Sequence, residues 1–157
     1  ALDAGAFDTF HFPDGMISAK LVENFGAEID GSTGQVPGTN SSGAGLYASM
    51  SSAAGFDGTA PFSAESYDAA ALIMLAMQSA KSSDPSLYKN HVMDVANAPG
   101  LIIQPGQLGL ALKAVAAGID IDYDGASAVE LIGPGESAGN YRQIKFEGGA
   151  EVTVQYR

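Results

Sequence analysis

Residues 118–132 read GIDIDYDGASAVELI, in which Asp120, Asp122 and Asp124 recur at every second position and are followed by Gly125. Oxygen ligands at alternate positions ahead of a glycine form the first half of an EF-hand calcium loop, where the glycine permits the sharp turn. The second half departs from that pattern. Position twelve of such a loop needs a bidentate carboxylate, but it falls on Leu131, and Glu130 stands one residue early. Gly133, Pro134 and Gly135 then break the chain where an exiting helix should run. The three aspartates also lie too close along one turn to work as a general acid and base, which leaves them as solvated surface.

Other chemistries find as little support. His11 and His91 are far apart and belong to no His-x-x-x-His or His-x-x-Glu pair, and a lone histidine in an aromatic strand packs more often than it binds metal. The absence of cysteine excludes thiol catalysis, disulfides and thiolate metal sites. No Gly-x-Ser-x-Gly elbow and no phosphate-binding loop occurs. Gly43, Gly45 and Ala48 match G-x-G-x-x-A, yet TGQVPGTN before them is no buried strand and no acidic partner follows about 20 residues on. They read as small residues at a helix start. No enzyme activity, metal or cofactor is expected.

The 157 residues, 46% of them hydrophobic, suffice for one domain with a real core. Eighteen acidic against seven basic residues give a net charge of -11, which argues against phosphate-backbone binding and so against nucleic acid as a partner. No apolar run approaches the about 20 residues that span a bilayer. The opening ALDAGAFDTF has neither a basic region nor an uninterrupted apolar stretch, so it does not read as an export signal.

The elements that would position any site follow from periodicity. FDTFHF (7–12) alternates aromatic and polar residues and runs into Pro13-Asp14-Gly15, a strand and a turn. MISAKLVENFG (16–26) has helical spacing and a terminal glycine, and AEIDGSTGQVPG (27–38) reads as a weak strand. Ser41 or Ser42 caps a helix over 41–55. FSAESYDAAALIMLAMQSAK (62–81) is the clearest helix, apolar on all faces over 69–77 and therefore expected to be buried on most sides, with Ser63 and Ser66 forming a cap. Pro85 and Pro105 begin helices over 84–97 and 105–118. RQIKFEGGAEVTVQYR (142–157) places two alternating runs around Gly148-Gly149, a β-hairpin signal. The alternation points to an α/β architecture with few strands for its helices.

Taken in order, VMDVANAPG, IIQPGQ, ALKAVAAGIDIDYDGAS and AGNY over residues 92–141, preceded by FHFPDGMIS and SAESYDAAALIMLAMQSA, become specific. The chain closely resembles the C-terminal portion of type I periplasmic solute-binding proteins of ABC transporters, of the branched-chain amino acid and amide group. The likeness runs in order over nearly the whole chain. It implies an α/β fold of Rossmann-like lobes, incomplete here. Residues 1–157 would contribute elements to both lobes of a bilobal protein whose first lobe, with its export signal, is mostly absent. It also implies that GIDIDYDGASAVELI is a connection leading from a helix into a strand.

By that resemblance the parent protein is a periplasmic, extracytoplasmic receptor that delivers a small polar solute, an amino acid or amide, to the membrane permease of an ABC transporter. The other reading is a bilobal sensor or regulator of a signalling or amidase operon, and neighbouring genes would separate the two. A zwitterionic amino acid needs a carboxylate for its ammonium group. Asp14 matches the acidic residue the family uses there, often Glu, although Pro-Asp-Gly also serves simply as a tight turn. Tyr67, in the family's Y-D-A helix, would line the cleft, or alternatively pack in the core with its hydroxyl satisfied. Gly15 and Met16 would line the Asp14 turn. Unpaired strand edges in a partial fold are pairing sites, so the isolated chain is expected to associate as a dimer.

Overall fold

The computed structural model describes residues 2–157. In chain order the elements are β1 (His11–Phe12), a 3-10 turn (Asp14–Met16), α1 (Ala19–Phe25), a second 3-10 turn (Gly26–Ile29) and β2 (Thr33–Pro37). There follow α2 (Ser42–Ala53), α3 (Ser63–Ala80), α4 (Pro85–Tyr88), a 3-10 turn (Lys89–His91), α5 (Val92–Ala96), β3 (Leu101–Ile103), α6 (Leu108–Ala116) and β4 (Ile121–Tyr123). Two hairpins end the chain, β5 (Glu130–Gly133) with β6 (Glu136–Ala138) and β7 (Tyr141–Glu147) with β8 (Ala150–Tyr156). They divide into two compact units, Ala1–Thr39 with Asn140–Arg157 and the continuous stretch Asn40–Gly139.

The first unit is a four-stranded sheet of order β1-β2-β7-β8, parallel between β1 and β2 and antiparallel elsewhere. Alternation along the strands turns Phe12, Val36, Ile144 and Phe146 to one face, where Ile17 and Ile29 close the core. Phe12 meets Phe146 edge to face at 5.6 Å between ring centres, a geometry favoured by the ring quadrupoles. A side chain at Gly34 would lie 2.5 Å from Ile17 Cδ1 and 2.9 Å from the Phe12 carbonyl, so glycine is what lets the turn after β1 fold down onto β2. Gly26, with φ 47°, ends α1 as the sequence indicates.

The second unit packs α3, α5 and α6 on the parallel pair β3 and β4, with Leu101 opposite Ile121 and Ile103 opposite Tyr123. Parallel strands need a crossover, and α6 supplies it. Leu72, Leu75 and Ala76 of α3, Val95 of α5 and Ile103 of β3 form the centre of this core. Full burial of one such large side chain stabilises by about 1.5–3 kcal/mol, and truncating Leu75, which is fully buried, would cost about 2–5 kcal/mol. Asn97 acts as a strand in miniature: its amide donates to the Leu131 carbonyl at 2.6 Å and accepts from the Leu131 amide at 3.1 Å.

Several local readings are corrected. The first strand holds only His11–Phe12: Phe10 still accepts from the Thr33 amide at 2.9 Å, but its own amide turns to the Ser32 hydroxyl, and the ladder does not extend back to Phe7. The 84–97 helix is interrupted at Lys89–His91 by a 3-10 turn. Helix α3 is not buried on most sides, since Ile73 and Met74 remain 43% and 40% exposed. Its start carries no side-chain cap: Phe62 precedes it at φ 65°, Ser63 Oγ pairs instead with the Tyr47 hydroxyl at 2.9 Å, and Ser66 Oγ donates back to the Phe62 carbonyl at 2.7 Å.

Candidate functional site

Asp14, Gly15 and Met16 form a single 3-10 turn at the carboxyl end of β1. Pro13 sets its entry at φ -69°, and the Ile17 amide closes it by donating to the Asp14 carbonyl at 3.0 Å. The Asp14 carboxylate accepts from the Gly15 amide at 2.6 Å, which fixes its rotamer. Pro13 and Asp14 share a groove of about 300 Å3 with His11, Phe12, Gln35 and Tyr141. His11 is held by Thr33, its Nδ1 being 2.9 Å from the threonine hydroxyl. The groove combines one carboxylate with an amide, an imidazole and a phenol, a set suited to a ligand bearing hydrogen-bond donors or a cation. Gly15 and Met16 are exposed and do not line this groove, and a side chain at Gly15 would meet nothing.

Gln35 and Tyr141 were not among the residues the sequence singled out, and His11 was weighed there only as a metal ligand. The signal was the strand period: Phe12 and Val36 point to the core, so His11 and Gln35 must point to the opposite face of the sheet.

Tyr67 belongs to the second unit, whereas the other three candidates belong to the first. It is half-buried, its ring 4.9 Å from that of Tyr47, and its hydroxyl accepts from the Gly106 amide at 2.9 Å. Beside it, Asp68 is 1% exposed. Its Oδ1 accepts from the Tyr123 hydroxyl at 2.9 Å and the Ala126 amide at 2.8 Å, and its Oδ2 accepts from the Ser127 amide at 2.7 Å and the Ser127 hydroxyl at 2.6 Å. Burial first, and then the adjacent Asp68 carboxylate, push the Tyr123 hydroxyl far above its ordinary range, so it stays a donor. Gly125 permits this approach, because a side chain there would sit 2.5 Å from the Asp68 carboxyl.

The aspartates of GIDIDYDGAS separate. Asp120 is exposed and Asp122 lies in β4, but Asp124 is half-buried and accepts from Gln104 Nε2 at 2.9 Å, so it is not simply solvated. The same Gln104 nitrogen lies 3.1 Å from the Ser42 hydroxyl. Among the described residues no three His, Asp or Glu are grouped to hold a metal ion, and no helix is long and apolar enough to cross a membrane.

No protein-family model matches the chain, and no curated protein does. Among solved structures it is similar to a leucine-binding protein, LivK, from Thermotoga maritima MSB8, with a TM-score of 0.68 at 15% identity. That alignment covers 98% of this chain and 38% of the other. The chain thus spans well under half the length of the protein it matches, and it has the mixed α/β fold of a type I periplasmic binding protein domain.

Proposed function

We propose that the chain is the C-terminal portion of a bilobal, extracytoplasmic solute receptor. In this reading it binds a small polar solute, an amino acid or amide, and delivers it to the permease of an ABC transporter. The observation that carries it is the likeness to a leucine-binding protein over 98% of the chain. Asp14 is the partner of the solute's ammonium group. It stands at the carboxyl end of a parallel strand, where α/β sheets present ligand-binding turns, and it borders a groove of suitable polarity. Gly15 and Met16 shape the turn behind it, and Tyr67 is a further solute contact in this reading. Lobe closure by hinge motion is the mechanism expected of such receptors.

A thermal-shift screen of the full-length protein against amino acids, amides and aromatic acids, with Asp14→Ala alongside, tests the reading. A ligand that binds only the native state stabilises by about 2.7 kcal/mol at a hundredfold excess over Kd. A shift with one amino acid class that Asp14→Ala abolishes supports receptor and contact together. A shift that survives the substitution removes Asp14, and no shift across the panel removes the amino acid receptor.

A further inference from the structure

Two adjacent residues of α3 reach the loops that leave both parallel strands of the second unit. Tyr67 holds the turn after β3 through Gly106, and Asp68 holds the loop after β4 through Ala126 and Ser127. The carboxyl ends of parallel strands are where α/β sheets place ligand-binding loops. Asp68 is a buried carboxylate whose four partners are all neutral donors. Such a group is costly to bury and is tolerated only when fully hydrogen-bonded. A well-packed apolar replacement of a buried charge is often no less stable. What the carboxylate adds is definition: its two oxygens take three donors from Ala126 and Ser127 and so favour one conformation of that loop, beside the close packing of Gly43 on Gly125.

We propose that Asp68 is a positioning residue for solute binding, one that sets the loop after β4 in its binding geometry without touching the solute. The inference rests on the receptor reading above. Asp124 is the group so placed, with Gln104, the first residue after β3, holding its side chain.

The test uses the full-length protein with Asp68→Asn, Ser127→Ala and, as a control for mere loss of stability, Leu75→Ala. Binding of L-leucine, L-valine and L-glutamine is measured by calorimetry well below each melting temperature, together with amide hydrogen exchange. Asp68→Asn is expected to lose exchange protection at Ala126 and Ser127 and to weaken solute binding about tenfold. Ser127→Ala should show a smaller change in the same direction, and Leu75→Ala should leave Kd within about twofold. Unchanged protection in Asp68→Asn overturns the brace. Lost protection with unchanged Kd overturns its role in binding, as does an equal loss in Leu75→Ala. If the unsubstituted protein takes none of the three amino acids while the exchange result holds, the amino acid receptor reading fails, and the binding role fails with it.

Discussion

Gly149 donates its amide to the Asp30 carboxylate at 2.9 Å, across 119 positions of sequence, and the neighbouring Gly148 amide donates to the other oxygen at the same distance. Both glycines have positive φ, 64° and 73°, as a two-residue hairpin turn of this hand requires. One side chain near the start of the chain therefore fixes the turn of the terminal hairpin. Asp30→Ala should lower stability by about 1.5–3 kcal/mol, the range for losing hydrogen bonds to a charged group, as read by chemical denaturation. Asp30→Asn, which keeps one acceptor, should lose less.

The two glycines of SGAG in α2 should respond in opposite directions to alanine. A side chain at Gly43 would lie 2.1 Å from the Gly125 carbonyl oxygen, backbone that has no room to yield, whereas one at Gly45 would meet nothing. Gly45→Ala should stabilise by about 0.5–1 kcal/mol through helix propensity. Gly43→Ala should destabilise by about 1–3 kcal/mol from overpacking, outweighing the same gain. Melting temperatures of the pair that moved together would contradict the close contact.

Tyr123 predicts an alkaline limit. Its folded pKa is raised by burial and by Asp68, so the folded state holds that proton more tightly than the unfolded chain. Its contribution is complete below the ordinary tyrosine value of 10.0 and is lost as pH rises above it. Melting temperature followed from pH 8 upward should fall beyond about pH 10, and the fall should be shallower in Tyr123→Phe. Parallel curves for the two proteins would refute the assignment.

Association of the isolated chain is expected from its edges. The outer side of β8 and the sides of the β3–β4 pair have no strand beside them among the described residues, and open edges invite pairing with another chain. Light scattering should give about twice the chain mass of 16.0 kDa. A particle of the chain mass would refute the dimer.

What could be read from the sequence depended on how local its cause was. The terminal hairpin was legible because Gly148-Gly149 and the alternation around them act within a few residues. The long helix α3 was legible from its apolar run, but which face it buries was not, because that depends on where α5 and α6 pack. Asp14 could be singled out as the polar centre of a turn. His11, Gln35 and Tyr141 could not be joined to it, since strand pairing across distant segments brings them to the same groove. Asp68 went unnoticed beside Tyr67, because an aspartate in a helix is an ordinary surface residue until the loop 124–127 is folded around it.

The two segments of the first unit run side by side where they part. Pro37 is paired with Tyr141, and the Gly38 amide donates to the Asn140 carbonyl at 3.0 Å. Residues Asn40–Gly139 therefore leave and return through one narrow doorway, and removing them would leave ends that a short turn could bridge. A nascent chain meets this arrangement in a fixed order: β2 must wait through the whole synthesis of the inserted unit before β7 emerges to pair with it.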